Sequence, residues 1–219
     1  MAGHWFRLYR DDLAAKASSP SLTAPNNRVI YVREGQVCVR ARGQCAALVT
    51  NGAWHGAVAC ELEAGTSGAS LLRWELSSSD EAPALVSGAG VDSSLTVERQ
   101  IELKDAHLLR CDRVDFPLGG IAYSHTHQGP GIRCLLKGQL LIRIEGATTT
   151  INPGAAWFEA GPRPVYAAAS NEALTGFVRV MVLPRALKGK SSIHYVLPED
   201  QDKPKLQKYQ LFFDEYVAL

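Results

Sequence analysis

The residues best placed to do chemistry are two histidines, in Ser124-His125-Thr126-His127. A copy of this tetrapeptide lies 103 residues upstream with both imidazoles removed, as Ser21-Leu22-Thr23-Ala24. The same offset pairs His4 with His107, Arg7 with Arg110, Arg10 with Arg113, Asp12 with Asp115, Arg40 with Arg143 and Trp54 with Trp157. One supersecondary unit therefore occurs twice. Side chains two positions apart on a strand point to the same face, so both imidazoles converge on one side, and imidazole suits Zn, Cu, Fe and Ni. A lone histidine reads as a core or surface residue. A His-x-His pair in one repeat, replaced by Leu22 and Ala24 in the other, reads as a metal site confined to the second copy.

The elements that must position this pair are strands. Arg28 to Arg33, Gln36 to Arg40, Ile132 to Leu136 and Gln139 to Ile144 are short β-rich runs around Glu34-Gly35 and Lys137-Gly138, a pattern that reads as two hairpins. Further strand-like runs are Ala57 to Leu62, Leu71 to Leu76, Leu95 to Leu103 and Gly176 to Leu183. Only Asp11 to Ala17 has helical character, and it reads equally well as a loop. The Ser-rich stretch from Ser77 to Ser94 reads as a connection. Close strand spacing with Gly, Pro and Asn punctuation predicts an all-β sandwich or barrel. The expected organisation is an N-terminal unit over 1–95, a C-terminal unit over 96–184 and a tail over 185–219. The aromatic tail would pack on the units or on a partner subunit, because leaving it in water is costly.

Composition narrows the function classes. With 23 basic and 22 acidic residues and a net charge of +1, the chain has no electrostatic footprint for nucleic acid or an anionic membrane. No apolar run is long enough to span a bilayer, and the N-terminus lacks a signal-peptide pattern. Cys38, Cys45, Cys60, Cys111 and Cys134 are odd in number and lack Cys-x-x-Cys spacing, which argues against a disulfide framework. The expectation is a cytoplasmic protein. No nucleophile elbow, phosphate loop or calcium-loop motif is present.

Gly119, five residues, His125-Thr126-His127, three residues, Gly131, six residues, Gly138 resembles the first motif of the cupin superfamily. With the repeat, the chain from about Trp5 to Leu183 resembles a bicupin with a degenerate first unit. The resemblance implies two tandem jelly-roll barrels, one divalent metal ion (Fe, Zn, Ni or Mn) inside the second, and a small-molecule enzyme of dioxygenase, isomerase or lyase type. The departures are two. Gly131 stands where the family carries an acidic ligand, and Pro164 where it carries a third histidine.

Glu159, in Ala156-Trp157-Phe158-Glu159, is the candidate replacement. A carboxylate on an apolar strand is costly to bury unpaired, and two histidines with one carboxylate make an open site for Fe(II). Alternatively Glu159 sits at an exposed strand end, or pairs with Arg133 or Arg163. Arg133 would suit a substrate carboxylate or phosphate if it faces the barrel interior, and Gln128 and Tyr123 adjoin the pair as further substrate-binding candidates. His55 has no partner at ligand spacing, His4 and His107 read as structural, and His194 as surface. The reading is a metal-binding bicupin enzyme acting on a small molecule, or else a non-catalytic ligand-binding or sensor protein. Its partners are a small molecule and a second copy in a homodimer, with neither nucleic acid nor membrane.

Overall fold

The structure is a computed structural model describing residues 3–24, 27–78, 85–103 and 107–218. It is an all-β protein of two tandem barrels, with one compact unit over residues 1–104 and 218–219 and the other over 105–217. The first unit contains β1 (His4–Leu13), β2 (Asn27–Ala41), β3 (Gln44–Val49), β4 (Ala53–Gly56), β5 (Glu61–Ser77) and β6 (Val91–Ile101). Their order is β3-β2-β5-β1-β6, with β4 also on β2. The second contains β7 (His107–Phe116), β8 (Ile121–His127), β9 (Gly131–Lys137), β10 (Leu140–Ile144), β11 (Ala147–Ile151), β12 (Ala156–Glu159), β13 (Val165–Ala169), β14 (Thr175–Pro184), β15 (Ile193–Tyr195) and β16 (Lys208–Val217).

These last ten strands form two antiparallel sheets, β12-β9-β14-β7-β16 and β11-β10-β13-β8-β15. Val114, Phe116, Leu135 and Phe177 from the first sheet and Leu140, Ile142, Val165 and Ala167 from the second make one buried cluster. The two sheets thus face each other across a shared apolar core, as in a jelly roll. The first unit closes its own core around Ile30, Val32, Val39, Leu62 and Leu71.

Several sequence expectations change here. The predicted boundary at 95/96 falls inside β6, which pairs with β1 over its length, so the Ser93-Ser94 end of the expected connection is strand. Asp80 and Glu81, in the same connection, lie outside the described residues. The predicted tail is part of the second unit, because β15 pairs with β8 and β16 with β7. Asp11 to Leu13 complete β1, where Asp11 is buried against Arg73 with Nε–Oδ2 2.6 Å.

The two predicted hairpins are corners instead. β2 runs through Gly35 (φ +83°) while staying paired with β5. At Gly138 (φ +73°) the chain leaves one sheet and enters the other. Residues either side of these glycines pair with other strands and not with each other. Both occupy the left-handed region that glycine tolerates. Cys38 and Cys45 are joined by a disulfide across the β2–β3 hairpin, with Cα atoms 5.5 Å apart. This single bridge departs from the expectation of no disulfide framework, while Cys60, Cys111 and Cys134 are free. No helix among the described residues is long and apolar enough to cross a membrane.

Candidate metal and ligand site

β8 brings His125 and His127 to the interior of the second barrel, 5 % and 3 % exposed. Their Nε2 atoms are 3.2 Å apart and their rings meet edge to face at 88°. His125 Nδ1 lies 2.6 Å from the Tyr123 carbonyl oxygen. A carbonyl only accepts, so His125 carries its proton on Nδ1 and presents a bare lone pair at Nε2. His127 Nδ1 is 3.3 Å from Ser192 Oγ. Without an ion, His127 Nε2–H donates to His125 Nε2 while the Ser192 hydroxyl donates to His127 Nδ1. Burial pushes both imidazoles below the ordinary histidine range, His127 the more strongly, with Arg133 and Arg179 adding to the effect. Both rings are therefore neutral at pH 7, the form that binds metals.

Glu159 ends β12 inside the barrel, 7 % exposed. Its Oε1 accepts a hydrogen bond from Trp157 Nε1 at 2.8 Å, and its Oε2 lies 3.5 Å from His127 Nε2. Arg133 Nη2 is 2.6 Å from the same Oε2, although the two are not aligned as a hydrogen bond and both atoms lack a directional partner. Arg133 Nη1 donates to the Gly131 carbonyl at 2.8 Å. Burial, with Arg179 nearby, pushes the Arg133 guanidinium down to about 10 despite Glu159, so it stays charged at neutral pH. On β14 and β7 of the same sheet, Arg179 makes a two-pronged pair with Asp112, Nε–Oδ1 2.7 Å and Nη2–Oδ2 3.1 Å.

The site residues expected from sequence divide accordingly. His125, His127, Glu159 and Arg133 come together. Tyr123 does not join them: its side chain turns toward Lys203, 4.8 Å from the ring, and lines a different surface pocket. The cause is a bulge, since Ala122 pairs with Ala167 and His125 with Val165, leaving an extra residue on β8 and reversing the alternation. Gln128, just past the strand end, is exposed and outside the cavity. Arg163 pairs with Glu145 on the surface, which leaves Arg133 as the partner of Glu159. His55 faces Asn27, Nε2–Oδ1 3.0 Å, and His194 is exposed.

Sequence reasoning missed Ser192, Asp112 and Arg179. Arg179 had a legible signal, being the only charge in the apolar run from Gly176 to Leu183.

No family model and no curated protein matches the sequence. Solved structures do match. AerE from Microcystis aeruginosa aligns with a TM-score of 0.62 at 14 % identity, covering 83 % of this chain and 88 % of that one. A cupin 2 conserved barrel domain protein from Leptotrichia buccalis aligns with a TM-score of 0.52 at 12 % identity, covering 83 % and 85 %. The fold is the cupin fold. Salicylate 1,2-dioxygenase from Pseudaminobacter salicylatoxidans also aligns, with a TM-score of 0.56 at 10 % identity over 96 % of this chain and 75 % of that one. At these identities the likeness is one of fold alone.

The cupin motif's missing acidic ligand has a structural counterpart. A Cβ at Gly131 would sit 2.8 Å from Arg133 Nη1 and 3.0 Å from the Val180 carbonyl oxygen, so the guanidinium takes the space of that side chain.

A metal ion fits part of this donor set. Two imidazole nitrogens bound at about 2.1 Å to one ion would lie roughly 3.0–3.4 Å apart, and the observed separation is 3.2 Å. Glu159 Oε2, buried and without a directional hydrogen bond, is the acidic donor nearest the pair. Among the described residues, no three His, Cys, Asp or Glu side chains already converge as a complete metal cluster, because Glu159 pairs with His127 alone and leans on Arg133.

Proposed function

We propose that the second barrel binds one divalent metal ion, of Fe, Zn, Ni or Mn, on His125 and His127 with Glu159 as the acidic donor. The protein would then be a small-molecule enzyme of dioxygenase, isomerase or lyase type. The observation that carries this reading is the 3.2 Å approach of two neutral imidazoles whose outer nitrogens are held by Tyr123 and Ser192. Salicylate 1,2-dioxygenase, similar in fold, lends the dioxygenase class support. When bound, such an ion supplies a Lewis acid, or oxygen activation if it is iron.

The chain's own residues do the rest. The Tyr123 carbonyl fixes the His125 tautomer, so its Nε2 lone pair faces inward. Ser192 can accept from or donate to His127 Nδ1, which lets the His127 proton move to Nδ1 and frees its Nε2 as a donor atom. Trp157 holds one oxygen of Glu159 and Arg133 neutralises the other. Val114, Phe116, Phe177 and Ala167 wall the cavity and keep bulk water from the polar cluster, strengthening its electrostatics.

The contact between Arg133 and Glu159 favours a second reading, a non-catalytic ligand-binding cupin, since it already satisfies the charge that a metal would satisfy. Elemental analysis of protein purified without chelators or nickel resin separates the two. About one divalent ion per chain, lost in His125→Ala and in His127→Ala, supports the metal site. Metal content unchanged by His125→Ala removes it.

A further inference from the structure

The free space beside His125 and His127 is only about 30 Å³, enough for an ion or a water molecule but for no organic compound. A second cavity of about 590 Å³ adjoins it and shares Arg179, Ile193 and Tyr209 with its wall. This size is typical of small-molecule sites. It is built where the segment after β14 folds back over β7 and β14, and Ser192, the partner of His127, lies in its lining.

Most of its polar groups are already committed. Arg110 gives Nε and Nη2 to Asp214, and its Nη1 and Nη2 to the carbonyls of Lys190 and Leu187. Lys205 donates to the carbonyls of Asp200, Gln201 and Lys203. Arg179, 5 % exposed, is different. Asp112 takes its Nε and Nη2, and among the described residues nothing accepts from its Nη1. The phenols of Tyr195 and Tyr209 likewise make no hydrogen bond among the described residues. Around these donors the walls are largely apolar, with Ile193 and Leu211 beside the two tyrosine rings.

We infer that this chamber binds a small monocarboxylate with an apolar body. The carboxylate sits on Arg179 Nη1, and the body lies between Ile193, Tyr195, Tyr209 and Leu211. One free guanidinium nitrogen and two phenols offer the hydrogen bonds that a single carboxylate accepts. A phosphate dianion fits less well, since Arg110 and Arg179 are paired with Asp214 and Asp112 and only Lys205 and the exposed, screened Lys190 are left to balance two charges. That the bound molecule is also a substrate rests on the metal reading above; that it binds does not. The segment from Ser191 to Leu211, expected from sequence only to pack, becomes the element that selects the ligand.

Calorimetry on the chelator-treated full chain tests this with benzoate, 3-phenylpropanoate and hexanoate, with 3-phenylpropanamide and phenyl phosphate as controls. At least one carboxylate is expected to bind once per chain below about 1 mM, with amide and phosphate at least about tenfold weaker, each tenfold being about 1.4 kcal/mol. Ile193→Trp and Leu211→Trp, which fill the chamber, should each remove binding without changing the thermal melt. The double variant Arg179→Met with Asp112→Asn, which leaves no charge unpaired, should weaken it at least about tenfold. The inference is overturned if no carboxylate binds, if amide or phosphate binds as well, or if both tryptophan variants bind normally. Metal content read on the same samples keeps the two ideas apart. Carboxylate binding to protein that never held an ion sinks the metal site and leaves the chamber standing, and an ion without carboxylate binding does the reverse.

Discussion

At the scale of single residues, the buried pair of Arg133 and Glu159 governs both stability and chemistry. Removing one member of a buried ion pair strands the other charge, at a cost of about 3–5 kcal/mol. Glu159→Gln is therefore expected to lower unfolding free energy by about 3 kcal/mol in urea titration. The charge left without its partner would be that of Arg133, only 1 % exposed. Gly131→Ala should also destabilise, since its Cβ would press on the Val180 carbonyl as well as on Arg133; a melt equal to that of the unchanged protein would show that β9 can shift. Ser192→Ala leaves the barrel core untouched but releases His127 Nδ1. If the His pair binds metal, this variant should lose about 10–100-fold in metal affinity, measured by competition with a chromogenic chelator.

At the scale of elements, the two barrels treat the same position differently. The 103-residue offset that matches Leu22 with His125 also matches Arg28 with Gly131. Arg28 fills its own barrel's site with a guanidinium, bonded to Glu75 Oε1 at 2.8 Å and to the Thr23 carbonyl at 2.7 Å. Leu22 and Ala24 offer no donor atom in place of the two histidines, so the chain should hold about one ion and not two. A His125→Ala protein that retains an ion in the first barrel would overturn this.

The strand β16 is tied to β7 by Arg110 and Asp214, whose Nη2–Oδ2 distance is 2.9 Å. Burial alone would raise the Asp214 carboxyl, but its bonds to Arg110 and to the Gly189 N–H outweigh that and hold it below its usual range. Its folded form thus gives up the proton more readily than the unfolded chain, and its stabilisation is present above about pH 4 and lost as pH falls through the folded value. The melting temperature should therefore fall as pH drops below about 4, and Asp214→Asn should flatten that drop while lowering stability at pH 7.

At the scale of the whole molecule, a second copy is the expected partner. Among the described residues, β16 ends its sheet with no strand on its outer side, and Tyr216 on it is 46 % exposed. Unprotected sheet edges are usually covered, and pairing with the same edge of another copy would do so. Light scattering is expected to give twice the chain mass of 23.7 kDa. A mass of one chain, independent of concentration, would show that β16 stays uncovered.

What the sequence determined by itself were features read over a few residues. Alternation showed strands, the offset copy showed two units, and His-x-His on a strand placed two imidazoles on one face, because the period of two is a local property of extended chain. The single carboxylate at Glu159 was legible because a charge in an apolar run must find a partner. Which partner it found was not. Arg133 reaches Glu159 through the pairing of β9 with β12, Ser192 reaches His127 from the residue before β15, 65 positions on, and Cys38 meets Cys45 only because β2 and β3 pair. One inserted residue in β8 turned Tyr123 outward, and the glycines expected to make hairpins made corners between strands with other partners. Strand register and sheet membership depend on which distant segments pack together, and that choice is made by the assembled core, so only the tertiary structure decided which polar groups share the interior.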